Sequence, residues 1–386
     1  MVIYIVRPGD TIDSIANRYG ISAKVIANDN QIPAPFALAV GASLLLTEAS
    51  NVLTDEDILI SSSGRTAYSG GYAYPFISRW VLEQTLPYLT DLFVFSYGFT
   101  AEGALIPPAL DDTFMITLAK DYGVAPILTL TPFGPTGMFS NYLISQIVNN
   151  EEPRTRLIGE LVTQMTERGF EGVDIDFEYI LAEDRLAFVT FVSEVRSAIN
   201  KLGFPVSVAL APKTSDTQTG LLYEGKDYAL LGEAADYVLL MTYEWGYTFG
   251  PAMAVAPLNK VREVVEYALT KIPAEKINLG IPNYGYDWTL PFVRGTSKAQ
   301  NIGNVEAVQI AITQGAEIQF DMTAQSPFFT YVLDGLTHEV WFEDVRSIHG
   351  KFGLVREYGL RGMSYWQIMR LFRANWLLQE GEFSIS

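Results

Sequence analysis

The chain has 386 residues, and 26 Lys and Arg against 44 Asp and Glu give it a formal net charge of −18 at pH 7. A negative field of this size repels phosphate backbones and anionic headgroups, so the sequence predicts no nucleic-acid partner and no membrane partner. Cysteine is absent and only two histidines occur. This composition excludes disulfides, thiolate catalysis and Cys-ligated metals, and it disfavours a histidine-rich metal site.

The N-terminal sequence, MVIYIVRPGD, has no basic segment followed by an apolar stretch and a small-residue cleavage site. We therefore expect no secretory signal in the chain as given. No apolar run approaches the roughly 20 residues of a membrane-spanning helix. Hydrophobic residues nevertheless make up 49% of the sequence, which is enough to form a large core and excludes disorder throughout.

Residues 1–49 have the pattern of a small β-α-α-β unit. An initial apolar run predicts a strand, and a Pro-Gly-Asp turn follows, with Asp10 as the expected N-cap of a helix. Apolar residues spaced i, i+3, i+4, i+7 from Ile12 to Tyr19 form one helical stripe, and Gly20 stands where a helix-ending glycine is expected. Ser22 can cap a second short helix, and the segment ASLLLT predicts the closing strand.

This unit resembles a LysM module over its whole length. The resemblance rests on YIVRPGDTIDSIANRYGIS, on the Asn-rich end of the second helix and on VGASLLL. LysM modules bind polymers of N-acetylglucosamine such as peptidoglycan and chitin, so the resemblance implies that kind of partner. It implies glycan contacts from Gly9, Asp10, Thr11, Asn28, Asn30 and Gln31. A degenerate module that serves only as a spacer is the alternative, and a single copy predicts low avidity.

Residues 50–63 are polar and rich in turn-forming residues, which predicts a linker. From residue 64 to residue 386, eight apolar strand candidates alternate with eight helical patterns. The strand candidates are TAYSGGYAY, DLFVFSYGF, APILTLTPF, GVDIDFEY, PVSVALAPK, DYVLLMTYEW, INLGIPNYGY and GMSYWQI. This alternation implies parallel strands, and eight units predict a closed (β/α)8 TIM barrel within the α/β class. An open doubly wound sheet is the alternative, but no glycine-rich phosphate-binding turn follows the first strand.

The segment at about 289–340 interrupts the alternation between strand seven and its helix. It contains an amphipathic stretch, NVEAVQIAITQG, followed by IQFDM, FFTYVL and HEVWF. This pattern predicts a small α+β insertion on the catalytic face of the barrel. Insertions in the loops that follow barrel strands commonly form a wall of the substrate cleft.

Strand four carries an unusual alternation of apolar and acidic residues. Successive side chains of a strand point to opposite faces. One face of this strand, with Val173, Ile175 and Phe177, therefore points to the helices. The other face, with Asp174, Asp176 and Glu178, points into the barrel. Three stacked carboxylates cannot all be ionised at low cost in a barrel interior, so we expect raised pKa values and a coupled titration. A carboxyl group that keeps its proton near neutral pH can act as a general acid.

Glu178 lies nearest the C-terminal end of that strand, where barrel enzymes place their chemistry. Two alternatives exist for the acidic pattern. The first is a solvated face of an edge strand, which the flanking helices disfavour because parallel strands are covered on both faces. The second is a metal site built from the three carboxylates, which is disfavoured because no further acidic strand ends converge on it.

The acidic strand resembles the Asp-x-x-Asp-x-Asp-x-Glu signature of glycoside hydrolase family 18, the family of chitinases and N-acetylglucosaminidases. The resemblance extends over residues 64–380. It includes the sequence MTYE at 241–244, which is similar to the family's Met-x-Tyr-Asp, the sequence GIPNYG at 280–285 and a strand-eight tryptophan. With a LysM module in front, the chain is most similar to the bacterial spore-cortex lytic N-acetylglucosaminidases of this family. Two residues depart from the pattern, since Glu171 and Glu244 stand where the family has Asp.

The resemblance implies a substrate-assisted mechanism, for which this family is a known exception among glycosidases. Glu178 would protonate the leaving oxygen while the 2-acetamido group of the substrate attacks C1. Asp176 would orient that group, Asp174 would support Asp176, and Tyr243 would donate a hydrogen bond to the acetamide oxygen. The β-configuration would be retained, with no cofactor and no metal. The resemblance and the positions near strand ends place further substrate contacts at Trp366, Met241, Glu244, Asn283, Tyr284 and Tyr97. For Asn283, Tyr284 and Tyr97, plain packing in the barrel is the alternative.

The function that follows is hydrolysis of β-1,4 N-acetylglucosaminyl bonds in peptidoglycan, with spore-cortex fragments as substrate and a spore or bacterial cell-wall location. A chitinase acting on chitin oligomers is the alternative enzyme, because loop shape decides which sugar fits beyond the cleaved bond. A non-catalytic sugar-binding lectin or coat protein is the alternative of another class. Retention of Glu178, Asp176 and Tyr243 argues against that last interpretation.

Overall fold

The N-terminal unit is a β-α-α-β fold with one additional strand. The computed structural model describes residues 1–49, 54, 57–133 and 137–386, so part of the predicted linker, residues 50–53, 55 and 56, lies outside the described residues. The unit consists of β1 (Val2–Ile5), α1 (Ile12–Tyr19), α2 (Ala23–Asp29), β2 (Ser43–Leu46) and β3 (Ile58–Leu59). Strand β1 is central and pairs antiparallel with both β2 and β3. The predicted order of the first four elements is confirmed, and a strand forms within the segment predicted as a linker.

Helix α1 begins one residue later than the turn sequence predicts. Thr11, not Asp10, is the N-cap: its hydroxyl accepts a hydrogen bond from Ser14 N at 3.1 Å, and the Ser14 hydroxyl accepts one from Thr11 N at 3.0 Å. The Asp10 carboxylate instead accepts hydrogen bonds from Tyr4 Oη at 2.5 Å and Arg7 N at 2.8 Å. Asp10 therefore closes the turn before the helix, and the reciprocal Thr-Ser pair satisfies the first orphan amides.

The rest of the chain forms a closed eight-stranded barrel, as predicted. Its strands are β4 (Arg65–Ala73), β5 (Asp91–Phe99), β7 (Ala125–Leu130), β8 (Val173–Ile175), β9 (Val206–Leu210), β10 (Tyr237–Leu240), β11 (Ile277–Pro282) and β17 (Gly362–Trp366), with β6 (Leu105–Ile106) paired to β5 and the C-terminal β18 (Phe383–Ile385) paired to β4. All eight neighbouring pairs are parallel, and pairing of β17 with β4 closes the circle. A closed barrel leaves no free sheet edge.

Helices cover the outside of the barrel in the order that the sequence predicts. They are α3 (Arg79–Thr85), α4 (Thr113–Asp121), α6 (Glu151–Arg168), α7 (Arg185–Ile199), α8 (Tyr228–Ala234), α9 (Leu258–Leu269), α11 (Val345–Glu357) and α12 (Arg373–Glu382). One further helix, α5 (Asn141–Asn149), precedes α6 and was not predicted. Across the ranges described above, no helix is both long enough and apolar enough to cross a membrane.

The predicted insertion is an antiparallel sheet with one helix. It contains β12 (Gly285–Leu290), β13 (Gln300–Ile302), α10 (Asn304–Gln314), β14 (Gln319–Asp321), β15 (Ser326–Leu333) and β16 (Leu336–Trp341), with the strands in the order β13-β12-β16-β15-β14. It begins at 285 rather than at about 289. The candidate INLGIPNYGY is therefore two strands, because barrel strand β11 ends at Pro282 and β12 turns into the insertion sheet.

The N-terminal unit packs directly against this insertion. One apolar cluster contains Leu44 and Ala42 from the unit together with Ala307, Ile318 and Phe342 from the insertion and the residues after it. The backbone contact is close: Ile318 N donates to Val40 O at 2.9 Å, and a Cβ built on Gly41, whose φ is +83°, would lie 1.8 Å from Ile318 O. Only glycine fits that position, because it combines a left-handed backbone with contact to another chain segment.

Candidate active site

Strand β8 and the residues that follow it divide their side chains between the helices and the barrel interior, as the alternation predicts. Val173 and Ile175 lie in the apolar cluster under the helices. The Phe177 ring stacks between two rings of α7, with centroid distances of 5.6 Å to Phe188 and 5.5 Å to Phe191. Packing of this face against α7 fixes the direction of the alternating side chains, so Asp174 and Asp176 between these positions, and Glu178 directly after them, face inward.

A cleft of about 610 Å³ opens at the C-terminal end of the barrel strands. Two of the three strand-four carboxylates reach it, and so do several residues from other strand ends. The lining consists of Tyr72, Asp176, Glu178, Tyr179, Ala209, Pro212, Leu222, Tyr223, Leu239, Met241, Tyr243, Glu244, Trp245, Tyr247, Tyr286 and Trp366. The structure thus brings together six of the ten residues predicted for catalysis and substrate binding: Asp176, Glu178, Met241, Tyr243, Glu244 and Trp366.

Asp174 lies below the cleft and is completely buried. Its carboxylate accepts hydrogen bonds from Tyr72 Oη at 2.9 Å and from Ser207 Oγ at 2.6 Å. Burial raises the pKa of Asp174 to about 6, against the two hydroxyl donors and a buried lysine, which favour the ionised form. Asp174 is therefore held in one orientation, and its charge acts on the next carboxylate of the stack.

Asp176 and Glu178 share the floor of the cleft. Burial raises the pKa of Asp176 well above its usual range, and repulsion from Glu178 and Asp174 raises it further. Burial also raises the pKa of Glu178, and Glu244 adds to that shift. Among the described residues, Asp176 Oδ1 accepts no hydrogen bond although it is buried. The pair therefore holds protons into the range where a general acid operates, and it presents one uncommitted acceptor oxygen.

Aromatic rings form the base of the cleft around Trp366. Its ring centroid lies 4.9 Å from Phe95, 5.8 Å from Tyr72 and 6.0 Å from Tyr74, each in an edge-to-face arrangement. These contacts leave one part of the indole on the cleft, where a sugar ring can stack on it. Burial raises the pKa of Tyr243 far above its ordinary value, with further contributions from Asp176 and Glu178, so the phenol stays a hydrogen-bond donor.

Glu244, one of the two departures from the family pattern, is held at the mouth of the cleft. Its backbone is left-handed, with φ of +68°. Its carboxylate accepts hydrogen bonds from Tyr284 Oη and, at 2.9 Å, from Tyr286 Oη. Glu171, the other departure, forms an ion pair with Lys120 at 3.4 Å and is not part of the cleft lining.

Three predicted substrate contacts lie outside the cleft lining. Tyr97 points towards the helices, where its hydroxyl donates to Asp112 Oδ2 at 2.7 Å. The pairing register of β5 shifts between Val94 and Tyr97, and this shift reverses the side of the sheet to which the Tyr97 side chain points. Asn283 is buried and donates to Gln367 O at 3.1 Å and to Arg370 O at 2.9 Å. The Tyr284 ring is buried beneath Glu244 and reaches the cleft only through that carboxylate. Tyr97 and Asn283 therefore have structural partners in this fold, and their contact with substrate stays a prediction.

The residues predicted for glycan binding by the N-terminal unit fall into two groups. Gly9 and Thr11 are exposed in the turn before α1, and Asn28 is exposed at the end of α2. The side chain of Asn30, in contrast, donates to Ile26 O and Leu45 O and accepts from Leu45 N. Gln31 Oε1 accepts from Arg373 N at 2.7 Å, so this side chain contacts the barrel. Asn30 and Gln31 thus have structural partners, and the role of the exposed residues stays a prediction.

Sequence analysis missed three residues that act on the carboxylates: Tyr72, Ser207 and Lys226. Tyr72 and Ser207 lie on predicted strands, and their positions on the inward face could have identified them as polar neighbours of strand four. Lys226 comes from the irregular segment between β9 and α8. No periodicity in that segment signals that its ammonium group is buried, and only the folded chain reveals it.

Comparison with known families and proteins spans the whole chain. Residues 134–370 match the family described as glycosyl hydrolases family 18, and residues 4–47 match the LysM domain. The cortical fragment-lytic enzyme of Bacillus subtilis (strain 168) is 39% identical, over 100% of this chain and 99% of the relative. The putative sporulation-specific glycosylase YdhD of the same organism is 33% identical, over 98% of this chain and 87% of the relative.

A solved structure also matches along its full length. The Bacillus megaterium QM B1551 spore cortex-lytic enzyme SleL superposes with a TM-score of 0.92 at 34% sequence identity, and the match covers 100% of this chain and 98% of that one. The N-terminal unit, the barrel and the insertion are therefore all included in the similarity.

Proposed function

Because the chain belongs to glycosyl hydrolases family 18 and is a glycosidase, we propose that it hydrolyses β-1,4 N-acetylglucosaminyl bonds in spore-cortex peptidoglycan. Full-length relatives at 39% and 34% identity, named as cortical fragment-lytic and spore cortex-lytic enzymes, support this substrate. The observation that carries the proposal is the pairing of Asp176 with Glu178 on the floor of a cleft that ends on Trp366. A sugar-binding protein without catalysis would not need two proton-holding carboxylates there, one buried and one half-buried.

Glu178 is the general acid of the proposed reaction. It is half-buried at the end of strand four, and burial keeps its proton available by raising its pKa. It protonates the glycosidic oxygen while the C1–O bond breaks. The carbonyl oxygen of the substrate's 2-acetamido group attacks C1 and forms a cyclic oxazolinium ion. Water then attacks C1, loses its proton to Glu178 and restores the β-configuration.

Asp176 is the residue that makes the acetamide a nucleophile. Its Oδ1 atom is buried and accepts no hydrogen bond from the described residues, so it can accept one from the acetamide N–H and stabilise the positive charge that develops on the ring. Asp174, fixed by Tyr72 and Ser207, supports Asp176 from below. Tyr243 stays protonated and donates to the acetamide oxygen. These charges are preorganised and need little rearrangement in the transition state.

The N-terminal unit supplies a second glycan contact, at the exposed turn of Gly9 and Thr11 and at Asn28. Its LysM match supports binding to N-acetylglucosamine polymers. We place the enzyme in the spore or the bacterial cell wall, where such polymers occur. The two sites together would raise the local concentration of the cleft along an insoluble glycan.

Mass spectrometry of products tests the substrate. Purified cortex peptidoglycan and chitohexaose are digested in parallel, with Glu178→Gln as the matched control. We expect cortex fragments with N-acetylglucosamine at the new reducing end. Cleavage of chitohexaose alone would favour the chitinase alternative, and fragments ending in N-acetylmuramic acid would contradict the proposed bond. Binding to cortex without products from the unmodified enzyme would contradict hydrolysis itself.

A further inference from the structure

Lys226 is a buried cation that the mechanism above does not use. Its side chain is completely buried, and its Nζ atom donates to Ala209 O at 2.8 Å. Ala209 lines the cleft. The parallel register that pairs Ile175 with Val208 brings the next residue, Asp176, level with Ala209. The ammonium group is therefore anchored beside the carboxylates of strand four.

The backbone of Lys226 is held from two sides. Its N–H donates to Tyr223 O at 3.1 Å, and its carbonyl accepts a hydrogen bond from Lys213 Nζ at 3.0 Å. Lys213 is itself buried. A buried ammonium group is expensive unless nearby charges compensate for the lost hydration. An apolar side chain at this position would give a more stable fold if packing were its only role. The buried charge therefore indicates a functional role.

The charges around Lys226 identify what it compensates. Three carboxylates act on it electrostatically and favour its charged form, those of Asp174, Asp176 and Glu178. Glu244 adds a fourth negative group on the side of Glu178. Among the described residues, four phenols whose pKa values Asp176 or Glu178 raises stay neutral at working pH: Tyr72, Tyr74, Tyr179 and Tyr243. Lys226 is the cation that acts on both Asp176 and Glu178.

A single buried cation changes how many protons such a set retains. Three mutually repelling carboxylates in a low-dielectric site favour states with most of them protonated. One ammonium group nearby favours one more ionised carboxylate. The proposed reaction needs that intermediate state, because Asp176 must carry charge while Glu178 keeps its proton.

We propose that Lys226 is a positioning residue for the reaction: its buried ammonium group sets the number of protons that Asp174, Asp176 and Glu178 hold together, so that one member of the pair Asp176 and Glu178 is ionised while the other stays protonated. This inference rests on the roles proposed above for Glu178 and Asp176.

The electrostatics of the site agree with this role. Lys226 lowers the pKa of Asp176 and of Glu178, against burial, which raises both. In return the three carboxylates favour the ammonium form of Lys226, although burial lowers its pKa to about 8. The cation therefore predominates at neutral pH, is half lost at about pH 8 and is largely absent well above that pH.

The test is the pH profile of kcat/KM for Lys226→Met on a soluble N-acetylglucosamine oligomer. Without the cation, both limbs of the profile move to higher pH by roughly one unit, the low end of the shift that a nearby opposite charge produces. Activity on the alkaline limb then rises, and activity on the acid limb falls about tenfold at fixed pH. A purely structural role would lower the profile at every pH without moving its midpoints, and that result would overturn the inference.

Lys276→Met is the matched control. It removes another lysine charge, whose Nζ atom donates to Ala235 O at 2.7 Å and whose charge neighbours include Asp236 and Glu233 rather than the catalytic carboxylates. Its midpoints should coincide with those of the unmodified enzyme. If Lys276→Met moves the midpoints as far as Lys226→Met does, the effect does not come from the Lys226 charge.

A second measurement covers the case in which Lys226→Met does not fold. The unmodified enzyme is labelled with ¹⁵N-lysine, and the Lys226 Nζ resonance is identified by its loss in Lys226→Arg. We expect this resonance to shift with the midpoints that govern activity, and an invariant resonance through those midpoints would refute the inference. An inactive unmodified enzyme would instead refute the proposed function, so the two failures are distinguishable.

Discussion

Replacing Asp174 by asparagine should stabilise the protein at neutral pH and not at acidic pH. Asp174 is completely buried, and its pKa is raised from 3.8 to about 6. Because the folded state holds this proton more tightly than the unfolded state, the stabilisation from protonated Asp174 is fully present below about pH 4. It is lost as the pH rises through about 6. An asparagine side chain cannot ionise, so the variant avoids that loss.

The size of this change in unfolding free energy follows from the environment of Asp174. Raising the pKa of Asp174 from 3.8 to about 6 corresponds to about 3 kcal/mol between the protonation states, at roughly 1.4 kcal/mol per pKa unit. The amide introduced by Asp174→Asn has one oxygen that accepts and one nitrogen that donates, so it keeps both hydrogen bonds only if the Tyr72 or the Ser207 hydroxyl turns to accept. An imperfect hydrogen bond there costs about 1 kcal/mol at any pH. We therefore expect Asp174→Asn to gain about 2 kcal/mol in unfolding free energy at pH 7.5 and to lose about 1 kcal/mol at pH 4.

Urea unfolding of both proteins at pH 4.0 and 7.5 measures this difference, and constant packing effects cancel between the two pH values. Ser207→Ala is the control of opposite sign. The Ser207 hydroxyl donates to the ionised carboxylate at 2.6 Å, so its removal should destabilise more at pH 7.5 than at pH 4.0. If Asp174→Asn changes the unfolding free energy equally at both pH values, the buried charge is not what limits stability here.

Three further outcomes are expected. Glu178→Gln should lose roughly 10² to 10⁴-fold in kcat while keeping its circular dichroism spectrum, since only the general acid is removed; near-normal turnover would exclude the assignment. Asp176→Asn should lose kcat to a similar degree, and an N-acetylglucosamine thiazoline should inhibit the unmodified enzyme competitively as a mimic of the cyclic intermediate. Isolation of a covalent glycosyl-enzyme would contradict that mechanism. Deleting residues 1–49 should lower both co-sedimentation with peptidoglycan sacculi and the melting temperature, because the apolar side of the insertion loses its cover; unchanged sedimentation would remove the unit as an anchor.

The residues that could be predicted from the sequence are those whose position follows from a strict repeat. Asp174, Asp176 and Glu178 alternate with residues buried under α7, so their direction follows from the period of a strand. The same logic fails at Tyr97, where one shift in the register of β5 reverses the face. It fails at Asn283 because the barrel strand ends at Pro282 and the chain turns away.

The position of Lys226 could not be predicted from such a repeat. It enters the site from an irregular segment, and its burial depends on contacts with Tyr223, Lys213 and Ala209 that no local pattern encodes. Polar segments with a lysine usually lie in solvent. The acidic half of the site could therefore be predicted from the sequence, while its balancing charge required the folded chain.

The way the N-terminal unit is attached changes how it can help the cleft. A flexible linker would let a glycan-binding module sample many positions, with an effective concentration set by linker length. Here β3 of the predicted linker joins the sheet of the unit, Ile318 N donates to Val40 O, and Arg373 N donates to Gln31. A docked module adds avidity only if one glycan strand reaches both sites in this fixed arrangement. Retention on long, insoluble glycan should then depend on the module, whereas turnover of short oligomers should respond only through stability.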